Sequence, residues 1–289
     1  MNKTLLVIGK SGQLAVELSK VGSANVVCVG RNDIDVMSDE SIRSVIEKYN
    51  PGALINASAY TAVDKAESDK EGAFALNSEA VSKLANACKL ANISMVHVST
   101  DYVFKGDKGS PYKVDDIREP QGVYGASKAA GEEAILRILP ESSCIIRTSW
   151  VYSAAGNNFV KTMLTLMASK PALTVIDDQV GSPTWAKGLA QACVEAAIKS
   201  LSGVYHWSDE GVTSWYDFAI AIQELGITKG LLSQAIPIKP IPTKDYPTPA
   251  TRPLYSVLDK TITRHMFVDS PAHHWKAQLS SMLDELSVN

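Results

Sequence analysis

Short, almost unbroken apolar runs recur along the first half of the chain, and the residues between them fall at helical spacing. The runs are Leu5–Ile8, Val26–Val29, Ala53–Ile55, Met95–Val98 and Cys144–Ile146. A strand with one face in water alternates apolar and polar residues, whereas a continuous run needs apolar neighbours on both faces. Between the runs, Val81, Leu84, Ala85 and Cys88 follow the i, i+3, i+4, i+7 pattern of a helix with one apolar stripe. Strand and helix in regular turn predict an α/β fold, a doubly wound parallel sheet covered by helices on both faces. In such a sheet, ligands bind beyond the carboxyl ends of the strands.

The rhythm loosens after Trp150. Further strands are expected at Leu173–Ile176 and Val204–Trp207, and helices at Phe159–Ala168, Trp185–Ser200 and Ser214–Leu225. The stretch Ile236–Pro253 carries Pro237, Pro240, Pro242, Pro247, Pro249 and Pro253. Prolines at this density block helix and central strand alike, so a long irregular segment is expected, of the kind that serves as a lid.

Charge and cysteine usage exclude several classes. The net charge of −3 gives no broad pull toward nucleic acid or an anionic membrane, so an anionic ligand needs a local site. Met1-Asn2-Lys3 leads straight into Thr4-Leu5-Leu6-Val7-Ile8, an apolar run too short for a signal-peptide core or a membrane span. A cytoplasmic protein is the expectation. Cys28, Cys88, Cys144 and Cys193 are far apart and form no Cys-x-x-Cys pair, which points to buried free thiols. His273 and His274 are adjacent, point apart on a helix, and read as surface residues.

Gly9-Lys10-Ser11-Gly12-Gln13-Leu14-Ala15 follows the first strand directly and opens a helix with Leu14, Leu18 and Val21 on one face. Glycine permits the tight turn and lets a pyrophosphate approach the backbone, and the helix N-terminus supplies N–H groups and a positive dipole end. Gly9, Gly12, Gln13 and Leu14 are thus candidate cofactor residues. Residues 1–150 are expected to form a dinucleotide-binding domain, to which later segments return, and 151–289 mainly a substrate-binding domain. The second strand ends at Val29-Gly30-Arg31. A carboxylate there commonly binds the ribose 2′-hydroxyl of NAD, whereas Arg31 suits a 2′-phosphate. NADPH is the expected cofactor; Asp33 and Asp35 nearby leave NADH possible.

Three features meet at the same sheet edge. His97-Val98-Ser99-Thr100-Asp101 ends the fourth strand, Tyr124-Gly125-Ala126-Ser127-Lys128 opens a helical stretch, and the glycine loop lies alongside. Residues i and i+4 share a helix face, so Tyr124 and Lys128 can enter one site. Hydride addition to a ketone builds negative charge on its oxygen, which a proton donor must meet. Tyr124 is that donor, Lys128 lowers the phenol's pKa and holds the nicotinamide ribose, and Thr100 orients the carbonyl. This is the constellation of the short-chain dehydrogenase/reductase superfamily.

A closer resemblance runs the length of the chain. Its residues are Gly9–Leu14, Asn56-Ala57-Ser58-Ala59-Tyr60-Thr61-Ala62-Val63-Asp64-Lys65-Ala66-Glu67, Ser99-Thr100-Asp101-Tyr102-Val103-Phe104 and Tyr124–Lys128. Arg147–Tyr152, Gly156–Phe159, Asp178–Thr184 and Tyr246–Pro253 follow in order. Together they resemble the dTDP-4-dehydrorhamnose reductase family. The resemblance implies reduction of the C4 ketone of a dTDP-linked 6-deoxyhexulose by NAD(P)H. It implies Asp35-Val36 near the adenine, Ala59-Tyr60-Thr61 near the ribose and nicotinamide, and Thr100, Asp101, Tyr124 and Trp150 at the sugar. Asn158, Gln179 and Arg252 are its candidates for the nucleotide diphosphate, although Trp150 also reads as a core aromatic and Arg252 as half of a structural salt bridge. Some members dimerise through magnesium held by acidic side chains. Lys187 stands where their pattern has a glutamate, with Glu17 in the first helix, so magnesium is not expected and both monomer and homodimer stay open. Tyr102 occupies the position of the glutamate that a 4,6-dehydratase needs, and no second acid–base pair marks an epimerase. A non-catalytic regulatory subunit of the methionine adenosyltransferase type remains as an alternative of another class.

Overall fold

The computed structural model describes residues 4–21 and 25–287. Met1-Asn2-Lys3, from which the chain's start was read, lie outside the described residues. In the first half the elements are β1 (Leu5–Ile8), α1 (Gln13–Val21), β2 (Val26–Val29), α2 (Asp39–Tyr49), β3 (Ala53–Asn56), α3 (Val63–Ala66), α4 (Lys70–Phe74), α5 (Ala80–Ala91), β4 (Ser94–Thr100), α6 (Val123–Ile138) and β5 (Ser143–Thr148). Then come β6 (Val151–Tyr152), α7 (Phe159–Ser169), β7 (Leu173–Ile176), β8 (Val180–Gly181), β9 (Thr184–Trp185), α8 (Ala186–Ile198), β10 (Gly203–His206), β11 (Thr213–Ser214), α9 (Trp215–Thr228), β12 (Ile238–Ile241), α10 (Thr261–Met266) and α11 (Trp275–Ser287).

Six strands form one sheet in the order β2-β1-β3-β4-β5-β10, and every neighbouring pair is parallel. Successive residues of a strand point to opposite faces, and both faces here are dry. Leu5, Val7, Ile55, Val96 and Ile146 meet Leu14 and Leu18 of α1 and Leu189 and Cys193 of α8. Leu6, Ile8, Leu54, Met95 and Ile145 meet Ile42 of α2, Val81 and Leu84 of α5, and Ile135 of α6. The unbroken apolar runs are thus accounted for residue by residue, and the doubly wound parallel sheet is the architecture. A third core gathers Tyr152, Met163, Trp185, Phe218, Ile222, Trp275 and Leu279 from segments after Trp150.

The structure corrects two expectations. The proline-rich stretch contains a strand, β12, paired in parallel with β7 so that Pro240 faces Val175. This sheet has only two strands, so the missing N–H of proline can face away from the partner without breaking a ladder bond. The helix expected from Trp185 begins one residue later, because Thr184 and Trp185 pair with Val151 and Tyr152 as a short parallel bridge. All four cysteines are free; Cys88, Cys144 and Cys193 are buried, whereas Cys28 is only half-buried. His273 and His274 are both exposed.

Candidate active site

The strand order places the site. The chain leaves β1 toward β2 on one side and β3 on the other, so the loops after β1 and β3 diverge and open a crevice at their carboxyl ends. Gly9 adopts φ +130°, a conformation that excludes ordinary side chains, and a Cβ there would lie 3.4 Å from the Ala57 carbonyl. A Cβ on Gly12 would meet nothing within 4 Å, so open space adjoins the loop. No acidic residue sits in the first turn of α1 to cancel its positive end. A glycine cradle, open space and an unneutralised helix N-terminus fit a dinucleotide pyrophosphate. Gln13 and Leu14 form the first turn, Leu14 buried beneath it.

At the tip of β2 Arg31 is exposed. Asp33, itself exposed, accepts from the Gly30 N–H at 2.9 Å and from Lys10 Nζ at 3.3 Å. These bonds, the backbone one foremost, hold its carboxyl below the usual range. Asp35 caps its own turn through the Met37 N–H at 2.9 Å, and Val36 packs on the core below. The Asp33 carboxylate is therefore engaged by the loop itself, while Arg31 is exposed.

The loop after β3 is fixed by a buried residue that sequence reasoning missed. Asn77 Oδ1 accepts the Tyr60 N–H at 2.8 Å, and Nδ2 donates to Tyr60 O at 3.1 Å and to Ser127 Oγ at 3.0 Å. One side chain thus positions Ala59-Tyr60-Thr61 against the helix that carries Tyr124. Asn77 lies in a π-helical turn, Ala75–Glu79, between α4 and α5. In the sequence it is one polar residue of Asn77-Ser78-Glu79, with nothing that marks it for burial. Tyr60 OH is held by Asp69 Oδ2 at 2.9 Å, and Thr61 is exposed.

Thr100 is the last residue of β4; its hydroxyl donates to Asp101 Oδ1 at 2.9 Å and accepts the Tyr102 N–H at 3.2 Å. Tyr124 and Lys128 lie one turn apart near the start of α6. Glu67 Oε1 accepts the Val123 N–H at 2.8 Å and caps that start. A Cβ on Gly125 would stand 2.2 Å from Tyr102 O, and one on Gly131 2.2 Å from Asn77 O. Only glycine lets α6 approach this closely.

Burial pushes the Tyr124 phenol up to about 12, and the neighbouring Thr100 hydroxyl acts in the opposite sense. Burial brings Lys128 down to about 8. The expected pull of a Lys128 ammonium on the phenol is not displayed. Lys128 Nζ turns instead to β4, donating to Val98 O at 2.7 Å and standing 3.2 Å from His97 Nε2. Beside Tyr124, the ring of Tyr102 meets it edge-on at 5.5 Å. Asp101 is buried, which pushes its carboxyl up to about 6.

Trp150 leaves β5 with φ +48°, strained for a residue with a side chain. Its ring stacks on Trp215 at 3.6 Å and 8°, and a Cβ on Gly181 would reach 2.7 Å from it. The indole is therefore clamped at the strand end, where it also packs against the third core. Asn158 caps α7 and donates to Gln13 Oε1 at 2.9 Å, tying that helix to the glycine loop. Gln179 is buried, and its Nε2 donates to Thr243 Oγ1 at 3.1 Å. Arg252 grips Asp64 with two bonds of 3.0 and 2.7 Å. Of its two readings, the structure displays the salt bridge. Asn77 and Trp215 lie outside every motif that the sequence offered, and Glu67 and His97 stood within motifs without a role.

The family profile described as RmlD substrate binding domain matches residues 2–288. A dTDP-4-dehydrorhamnose reductase of Aggregatibacter actinomycetemcomitans is 39% identical, covering 96% of this chain and 97% of its own. The chain belongs to this reductase family. Among solved structures, the dTDP-4-dehydrorhamnose reductase of Clostridium acetobutylicum superposes with a TM-score of 0.90 at 33% identity, over 98% of this chain and 99% of its own. That of Bacillus anthracis, in complex with NADP, gives 0.91 at 30%, over 99% and 100%.

Where the resemblance would put magnesium, this chain sets cations beside the carboxylates. Lys187 Nζ stands 3.2 Å from Glu285 Oε1, and Lys20 Nζ stands 3.2 Å from Glu17 Oε1 and 3.9 Å from Glu285 Oε2. Two ammonium groups occupy the carboxylates that a hard cation would need. Among the described residues no three His, Cys, Asp or Glu gather as a metal site.

Proposed function

We propose that the chain reduces the C4 ketone of dTDP-6-deoxy-L-lyxo-4-hexulose to dTDP-L-rhamnose, with NADPH as hydride donor and NADH as a possible substitute. The observation that carries this reading is Thr100 at the end of β4 and Tyr124 with Lys128 near the start of α6, beside the Gly9–Gly12 cradle, in a chain matched end to end by reductases of that name. NADPH, when bound, supplies the hydride. Gly9, Gly12, Gln13 and Leu14 hold its pyrophosphate, Arg31 its 2′-phosphate, Asp35 and Val36 its adenine side, and Ala59, Tyr60 and Thr61 its ribose.

Tyr124 delivers the proton. A phenol at about 12 is fully protonated at neutral pH, and the alkoxide formed at C4 is a far stronger base. Thr100 fixes the ketone oxygen against the phenol, and Lys128 reaches the nicotinamide ribose. Asp101 and Trp150 line the sugar, and Asn158, Gln179 and Arg252 lie toward the nucleotide diphosphate. For the last three, support is limited to position, since each holds a protein partner. Tyr102, in place of a carboxylate, leaves no group for dehydration. We also assign residues 1–150 mainly to cofactor binding and 151–289 mainly to substrate, and read the chain as a cytoplasmic monomer or homodimer. No helix among the described residues is long and apolar enough to cross a membrane.

The test is NADPH consumption on adding the 4-keto sugar nucleotide, with dTDP-L-rhamnose identified as product. Cofactor binding without turnover would favour the regulatory alternative. Turnover of a different 4-keto sugar nucleotide alone would move the substrate and leave the chemistry.

A further inference from the structure

A chain of hydrogen bonds beneath Lys128 fixes where its neighbours keep their protons. It begins at the Ser58 backbone N–H, which can only donate and gives its proton to Asn56 Oδ1 at 3.1 Å; Ser58 Oγ reaches the same oxygen at 2.7 Å. Reversing the Asn56 amide would put an NH2 against that N–H, so its orientation is settled. Asn56 Nδ2 then donates to His97 Nδ1 at 3.1 Å. An Nδ1 that accepts carries no proton, so the neutral imidazole bears its proton on Nε2. Nε2 faces Lys128 Nζ at 3.2 Å. An ammonium has three donors and no acceptor and would oppose that N–H. A neutral amine accepts it through its lone pair and still donates to Val98 O at 2.7 Å.

We propose that His97 is a positioning residue that weakens the hold of Lys128, turned down on β4, on its proton, so that in alkaline solution, where the free protein carries the neutral amine, binding the dinucleotide draws a proton onto Lys128. The second clause rests on the proposed use of NADPH; the first does not. His97 and Asn56 are both buried at the sheet. Around Lys128 the titratable groups are His97 on β4 and Tyr124 and Glu132 on α6. Asp101, beyond β4, acts on Tyr124. Glu132 is the one carboxylate that could stabilise an ammonium, but it is already gripped by Arg147 at 2.9 and 2.7 Å and approached by Arg118 at 3.4 Å. Burial, which holds Lys128 at about 8 and His97 well below its ordinary value, acts in the same sense. The anionic phosphates of the cofactor favour the ammonium, so uptake of a proton accompanies binding above that value.

Two measurements test this. A long-range 1H–15N spectrum of the unaltered protein should show His97 protonated at Nε2 and bare at Nδ1, and the 13Cε of Lys128 should titrate near pH 8. His97→Gln can offer its amide oxygen to an ammonium and should return Lys128 toward its ordinary value of about 10.4. The dissociation constant for NADPH should rise about tenfold per pH unit above 8 in the unaltered protein and stay flat to about pH 10 in His97→Gln. An Nδ1–H tautomer, or a Lys128 titrating in the ordinary range in the unaltered protein, overturns the proposal whatever NADPH does. A pH-independent NADPH affinity beside a Lys128 that titrates near 8 overturns the coupling to the cofactor. Failure of NADPH to bind at any pH would count against the functional reading instead, with the His97 and Lys128 titrations deciding the first clause.

Discussion

Tyr124 and Arg31 carry opposite kinds of prediction, because one is held by its surroundings and the other is exposed. Tyr124→Phe deletes the proton donor and keeps the ring, so turnover should fall by about 10²–10⁴ while NADPH affinity persists. Steady-state rates beside a fluorescence titration check both halves, and a near-normal rate would remove Tyr124 from the chemistry. Arg31→Ala should lower the ratio of NADPH to NADH efficiency with little change in stability. An unchanged NADPH preference would assign the 2′-phosphate to another residue. Both residues were legible in the sequence because their roles depend on residue type and a short spacing. His97 and Asn77 were not. Their partners, Asn56 and Lys128 for one and Tyr60 and Ser127 for the other, are brought together only by the sheet and by α6.

Helix α6 is placed by what its glycines leave out. Alanine at Gly125 or Gly131 would drive a methyl into a backbone carbonyl, at 2.2 Å in each case. Backbone cannot swing aside as a side chain can, so each variant should lose about 1–3 kcal/mol in urea unfolding. Gly125→Ala should also reduce turnover more than Gly131→Ala, since Gly125 adjoins Tyr124. Equal stability to the unaltered chain would show that the helix is free to shift. The sheet itself was readable, because strands buried on both faces leave a run that no other element needs. The later strands were less so. β12 hid among prolines that an edge position tolerates, and β9 took Trp185, the first residue expected in a helix, because its partner strand, Val151–Tyr152, comes from a distant part of the chain.

Stability of the whole molecule should depend on pH through a carboxyl far from the chemistry. Asp209 is fully buried, accepts the Trp185 N–H at 2.9 Å, and is pushed up to about 8 by burial. Its folded value lies above its unfolded one of about 3.9. Between those values the folded chain keeps a proton that the unfolded chain has lost. This group's contribution therefore falls as pH rises from about 4 to 8 and levels off above. Asp209→Asn should flatten that decline in unfolding free energy measured across the range; an identical slope in the variant would mean Asp209 ionises normally. The clasp between Asp64 and Arg252 has a consequence of its own. It joins positions 188 residues apart, so the loop it closes takes in most of the chain. Contacts of such separation form late, after the cores have found their shape. Once made, they oblige the amides around α3 and the proline-rich stretch to open together. Their hydrogen-exchange protection should then rise and fall as one cooperative unit, and Asp64→Ala should split it in two.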